Sequence, residues 1–163
     1  MRTLPVVVGL GCLLVLTSGP ALADTKEDVP SLLKALKSRN PKTRASAAEE
    51  LGHIGAISAA DAKEAIPALL GVLKKDSSSD VRKAAATAIG KMDPDPEKAV
   101  PALTQALKDR TPGVRIAAAG ALGQLGSDAK DAIPALQEAQ KDKDRGVSRA
   151  AGMALRAIRG KKK

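Results

Sequence analysis

"GVRIAAAGALGQLGSDAKDAIPAL", residues 113–136, is rich in alanine and holds no aromatic residue and no cluster of catalytic side chains. Two other stretches nearly duplicate it: "DVRKAAATAIGKMDPDPEKAVPAL" at 80–103 and the shorter "GVSRAAGMALRAI" at 146–158. Self-similarity at a fixed period is the signature of an architecture in which one helical unit stacks on the next.

Working outward, a Val/Ile-Pro pair leading into an apolar segment recurs as "VPSLLKALKS" (29–38), "IPALLGVLKK" (66–75), "VPALTQALKD" (100–109) and "IPALQEAQKD" (133–142). The prolines stand at 30, 67, 101 and 134, so the spacings are 37, 34 and 33 residues. Each is followed by a second segment: "TRASAAEELGHI", "VRKAAATAIGKM", "VRIAAAGALGQL" and "VSRAAGMALRAI". Length differences fall in the connections, at "GAISAADAKEA" (55–65) and "DSSSD" (76–80), where stacked hairpins tolerate insertion.

Each segment reads as a helix. Ile66, Leu69, Leu70 and Leu73 follow the i, i+3, i+4, i+7 spacing of one buried face, and Val114, Ala117, Ala118, Ala121, Leu122 and Leu125 form the stripe of a second segment. The spacing also predicts each proline at a helix start, where a missing N–H costs least. Asn40-Pro41, Asp76 to Asp80 and Thr111-Pro112-Gly113 have turn chemistry. Alanine is the best helix former and lets neighbouring helices approach closely. A short pair cannot bury its own face, so pairs must stack. The expected fold is all-α, an α-solenoid of four helical hairpins.

The recurring Ile-Pro-Ala-Leu, Val-Arg and Ala-Leu-Gly elements resemble the HEAT repeat, in the variety named for phycobilisome lyases, over residues 29–159. The resemblance implies a right-handed superhelix with the second helices on its concave side. It also implies that the recurring arginine, here Arg44, Arg82 and Arg115, is structural and pairs with a turn aspartate, for which Asp109 is the best match. In the last unit Ser148 replaces that arginine, and Gln137 and Gln140 replace apolar residues, as a water-facing terminal cap would require.

The ends and the charge set the context. "MRTLPVVVGLGCLLVLTSGPALA" has a basic start at Arg2, an apolar run from Leu4 to Leu16, and small residues before a cut after Ala23. It reads as a signal peptide over 1–23, with an uncleaved membrane anchor as the alternative. The expected organisation continues as a short acidic arm (24–28), a repeat domain (29–160, with units 29–65, 66–99, 100–132 and 133–160) and a basic tail (161–163). The single cysteine, Cys12, would leave with the signal, removing disulfide and thiolate chemistry from the exported protein. The chain carries 27 Lys and Arg against 18 Asp and Glu, a formal +9. Losing Arg2 would lower that by one. Such a balance favours anionic partners by long-range attraction.

Aligning the second helices places Ala45, Lys83, Ile116 and Arg149 in one column of the presumed concave face. A second column is Glu49, Thr87, Gly120 and Met153, a third Gly52, Gly90, Gly123 and Arg156, and a fourth His53, Lys91, Gln124 and Ala157. The candidate partner-binding residues are therefore Glu49, His53, Lys83, Thr87, Lys91, Ile116, Gln124, Arg149, Met153 and Arg156. The face reads as shallow, small-residue-lined and increasingly basic toward its C-terminal end. It suits a macromolecule or an extended chain better than a small substrate.

Enzymatic alternatives are poorly served. His53 is the single histidine, with Glu49 and Glu50 as its acidic neighbours along the helix, and it lacks a nucleophile or convergent metal ligands. Bilin lyases would be expected to surround a chromophore with aromatic and polar groups, and HEAT-like DNA glycosylases to use aromatic side chains; this chain has none. Deoxyhypusine hydroxylases use several His-Glu pairs, whereas His53 precedes Ile54. No catalytic, cofactor or metal site is expected. The sequence points to an exported, non-catalytic protein-binding scaffold of the cell envelope or exterior. Its alternative is an electrostatic binder of an anionic envelope polymer or nucleic acid, using Lys83, Lys91, Arg149, Arg156, Arg159 and the tail. A lyase- or oxidoreductase-type enzyme is a more distant third.

Overall fold

Alanine through the interiors and capping residues at the starts make the repeated segments helical. The computed structural model describes residues 25–160, with side chains from residue 28 onward. The expected signal peptide and the basic tail lie outside the described residues. The elements are α1 (Thr25–Ala35), α2 (Pro41–Ile57), α3 (Ala59–Ala62), α4 (Ile66–Lys75), α5 (Ser79–Lys91), α6 (Pro96–Ala106), α7 (Pro112–Leu125), α8 (Ile133–Ala139) and α9 (Arg145–Arg159). Short 3-10 stretches at Lys63–Ala65 and Gly126–Ala132 lead into α4 and α8. Among the described residues there is no strand.

The hairpins are α1 with α2, α4 with α5, α6 with α7, and α8 with α9. Successive second helices, α2, α5, α7 and α9, pack along their length, whereas the first helices α1, α4, α6 and α8 touch one another little. The protein is an α-solenoid of four helical hairpins. A row packed closely on one side and loosely on the other must bend toward the close side, so the second helices form the inner face.

Glycine explains the close row. A Cβ on Gly52 would sit 2.8 Å from the Ala88 Cα, one on Gly90 2.8 Å from the Ala121 Cα, and one on Gly123 3.1 Å from the Ala154 Cα. These glycines, expected on the open face, are instead the contact seam between second helices. The sequence period fixes which residues share a column but not how far that column is rotated toward the neighbour. Beneath the seam, Leu51, Leu69, Ile89, Leu103, Leu122 and Leu136 are fully buried and make one continuous core with the interior alanines.

Two helix starts differ from expectation. Residues 25–28, expected as an arm, belong to the opening of α1. Residue 24 lies outside the described residues. Pro67 and Pro134 do stand in the first turns of α4 and α8, but Pro30 and Pro101 lie inside α1 and α6. In α6 the cause is local: Asp95 caps the helix by accepting from the Glu97 N–H at 3.1 Å, and Pro96 takes the first turn. That start carries the helix through Pro101, whose missing N–H forgoes one intrahelical bond. In the stripe of α7, Ala117 and Leu125 are only half-buried, while Ala119 is fully buried.

Candidate functional site

The recurring arginines turn inward at the hairpin tips and build a ladder. Arg44 places Nε 2.7 Å from Asp76 Oδ2 and Nη2 2.7 Å from Oδ1. Arg82 repeats this on Asp109, at 2.7 and 2.9 Å. Each guanidinium also donates Nη1 to carbonyls of its own hairpin turn, Ser38 for Arg44 and Asp76 for Arg82, both at 2.9 Å. Each acceptor carboxylate in turn holds the backbone N–H two residues on, at Ser78 and Thr111. One rung thus fixes two turns and joins consecutive repeats.

The third rung is weaker. Arg115 donates Nη2 to Asp142 Oδ1 at 2.9 Å and Nη1 to the Asp109 carbonyl at 2.9 Å. Its Nε is 2.8 Å from Asp142 Oδ2 but off the hydrogen-bond line, and remains buried without an acceptor. The guanidinium bonds hold the carboxyls of Asp76 and Asp109 below the usual range. Asp142 is also lowered, but chiefly by the Asp144 N–H and only then by Arg115. In the last repeat the Ser148 hydroxyl donates to the Gln140 carbonyl at 2.7 Å, and the ladder ends. Asp76 and Asp142 were missed as partners in the sequence, although a repeated Lys-Asp at 75–76, 108–109 and 141–142 marks them.

The inner face receives the other candidates. Glu49, His53, Lys83, Thr87, Ile116, Gln124, Arg149, Met153 and Arg156 are all exposed there, and Lys91 is half-buried at the end of α5. Among the large apolar residues, Ile116 is 38 % exposed and Met153 57 %. The Thr87 hydroxyl is engaged with the Lys83 carbonyl of its own helix at 3.1 Å. Gln124 lies over the seam at Gly90, and the Ile116 Cδ1 rests against Gly146 at the start of α9. Gly120 differs from the seam glycines, because a Cβ there would meet nothing within 4 Å. It faces open space. Among the described residues, no hydrogen bond or ion pair joins His53 to Glu49 or Glu50.

The outer side holds a concavity that sequence reasoning missed. A cleft of about 600 Å³ lies between α6 and the Gly126–Ala132 stretch, with Val100 and Thr104 on its walls and Glu97, Lys108, Asp128 and Asp131 at its rim. It forms because first helices are spaced loosely, which no single repeat reveals. Among the described residues no group of three or more His, Cys, Asp or Glu is arranged to hold a metal ion, and no helix is long and apolar enough to cross a membrane.

This geometry has clear relatives. The HEAT-repeat family matches residues 29–110 and 66–156. No curated protein matches. Among solved structures, an engineered protein is similar with a TM-score of 0.66 and 26 % identity, covering 80 % of this chain and 62 % of that one. The complex of CpcE and CpcF of phycocyanin lyase from Nostoc sp. PCC7120 aligns with a TM-score of 0.61 and 25 % identity, covering 81 % of this chain and 78 % of the other. Human deoxyhypusine hydroxylase aligns with a TM-score of 0.62 and 31 % identity, covering 81 % of this chain and 43 % of that enzyme. The chain spans about three-fifths of the length of the engineered proteins it matches. With matched repeats over most of its length and the hairpins stacked in register, the chain belongs to the HEAT-repeat family.

Proposed function

We propose that this protein is a non-catalytic scaffold, exported through its apolar N-terminal segment, that binds a protein partner along the inner row of second helices. HEAT repeats commonly serve protein interaction. The observation that carries the reading is the pairing of exposed apolar side chains, Ile116 and Met153, with cations on a face whose helices are locked by their own seam. A rigid platform with apolar contacts and a charged rim is the anatomy of a protein interface. The likeness to phycocyanin lyase and deoxyhypusine hydroxylase is one of architecture, and this chain offers neither aromatic walls for a chromophore nor more than one histidine.

Crosslinking in the native cell, followed by mass spectrometry, tests it. Crosslinks to a protein should map to α5, α7 and α9, and the complex should survive a rise from about 50 to 200 mM salt. Crosslinks confined to the outer helices would overturn the inner-face reading. Binding that collapses over that salt range, and that nucleic acid shares, would favour the polyanion alternative. Fractionation places the mature chain: an N-terminus at Asp24 in an extracytoplasmic fraction is expected, and an intact Met1 in the cytoplasm would refute export.

A further inference from the structure

The loosely spaced first helices leave a groove between α1 and α4. It is lined by Leu33, Leu36, Ala68, Gly71 and Val72, opens between Lys37 and Lys75 at the hairpin tips, and holds about 340 Å³. Leu33, Ala68 and Val72 are only half-buried, because α1 and α4 make little contact with each other. Each keeps an apolar surface turned to the groove.

One residue opens it. Four positions after the recurring proline the other repeats carry long polar side chains, Lys34, Gln105 and Glu138, and this repeat carries Gly71. A glycine inside a helix costs stability relative to alanine. No packing contact requires it, since a Cβ on Gly71 would meet nothing within 4 Å. The next groove along, between α4 and α6, has a similar pair in Lys74 and Lys108, but Gln105 stands on its wall.

The charge at the mouth is uncompensated. Lys37 and Lys75 are exposed, and among the described residues neither ammonium has an ion-pair or hydrogen-bond partner. The carboxylate beside them, Asp76, is committed: Arg44 donates to both its oxygens and the Ser78 N–H to one of them. Arg39 and Lys74, also exposed, add positive charge along the same edge.

Behind the mouth the lining offers no hydrogen bond. The carbonyls of Lys34, Ala35 and Val72 already accept from the N–H groups of Lys37, Ser38 and Asp76, each at 3.0 Å. A peptide strand laid there would bury amide groups without partners, which is unfavourable. A hydrocarbon chain carries no such groups.

We infer that this groove takes a single-chain anionic amphiphile, its hydrocarbon tail lying between α1 and α4 against Gly71 and its carboxylate or phosphate head between Lys37 and Lys75. The volume falls in the range of small-molecule sites. The groove lies on the outer side, so it and the inner row can be occupied together.

Isothermal titration calorimetry on the full chain tests this, with every probe kept below its micelle concentration. Dodecyl phosphate should bind one molecule per chain. Butyl phosphate should bind at least about tenfold more weakly, since each methylene buried is worth up to about fourfold. Dodecyl maltoside, with the same tail and a neutral head, should bind about fivefold more weakly. Lys37→Glu with Lys75→Glu should remove the preference for the phosphate head. Gly71→Gln copies the wall of the next repeat and suits a helix better than glycine. It should bring dodecyl phosphate down to the level of butyl phosphate, with circular dichroism confirming the fold. Unchanged affinity in Gly71→Gln would place the tail elsewhere on the chain and overturn the proposal. So would equal binding of butyl phosphate or of the maltoside, or no binding at all. Displacement of dodecyl phosphate by an Asp-rich leucine peptide at equal concentration would mark a peptide site instead, and would also overturn it. Crosslinks of a protein to α5, α7 and α9 are unaffected by any of these outcomes, so the scaffold reading stands or falls separately.

Discussion

Arg82 on α5 grips Asp109 across the repeat boundary with two charge-assisted hydrogen bonds, Nε to Oδ2 at 2.7 Å and Nη2 to Oδ1 at 2.9 Å. Arg115 meets Asp142 at the next boundary with only one, from Nη2. The difference makes the rungs unequal.

Asp109→Asn should therefore cost about 1.5–3 kcal/mol, since a guanidinium buried to 6 % exposure loses its charged acceptor. Asp142→Asn should cost clearly less. Thermal unfolding of the two variants checks the order, and equal losses would mean that the second hydrogen bond adds nothing.

Acid stability follows from the same carboxylates. Asp76, Asp109 and Asp142 all have carboxyls lowered by folding. Such groups bind protons more readily in the unfolded chain, so their stabilisation is complete above the unfolded value, about 3.9, and drains away as pH falls through the lower folded values. Urea midpoints should be flat from neutrality to about pH 5 as far as these groups are concerned, then fall. Replacing Asp76 and Asp109 by asparagine should flatten the acid limb.

Glycine substitutions should split by location. Gly120→Ala should stabilise by about 0.5–1 kcal/mol, because it removes chain entropy from the unfolded state and meets no neighbour. Gly52→Ala should destabilise by about 1–3 kcal/mol, because its Cβ would press on the Ala88 backbone. Differential scanning calorimetry of the pair decides it: a shift of the same sign in both would refute the distinction between a seam glycine and an open one.

His53→Ala should leave stability within about 0.5 kcal/mol, as expected for an exposed side chain with no partner. A larger change in the unfolding midpoint would show that the imidazole is held by something in the fold.

Much of this architecture is legible in the chain because each repeat restates it. Recurring Val/Ile-Pro elements and the alanine-rich segments after them locate both helices of every hairpin, and the resemblance to HEAT repeats implies the structural role of Arg44, Arg82 and Arg115. What the sequence hides depends on neighbours. The rotation that sends Gly52, Gly90 and Gly123 into the seam, while leaving Gly120 open, comes from how one helix lies on the next. The helical run of α6 through Pro101 depends on a cap at Asp95 that competes with the proline, and local pattern alone favours the proline. The outer cleft beside Glu97 and Asp131 arises from spacing between hairpins, which is a property of the stack.

The rungs are directional: Arg44, Arg82 and Arg115 each reach forward to the aspartate of the next repeat, so an interior repeat both gives an arginine and receives one, and Ser148 closes the series. An interior unit is therefore interchangeable with a copy of itself. Duplicating the 33-residue unit 101–133 would present an arginine donor and an aspartate acceptor at each junction it makes. Such a protein lengthens by whole modules, and its reach along a ligand can grow without redesigning a single contact.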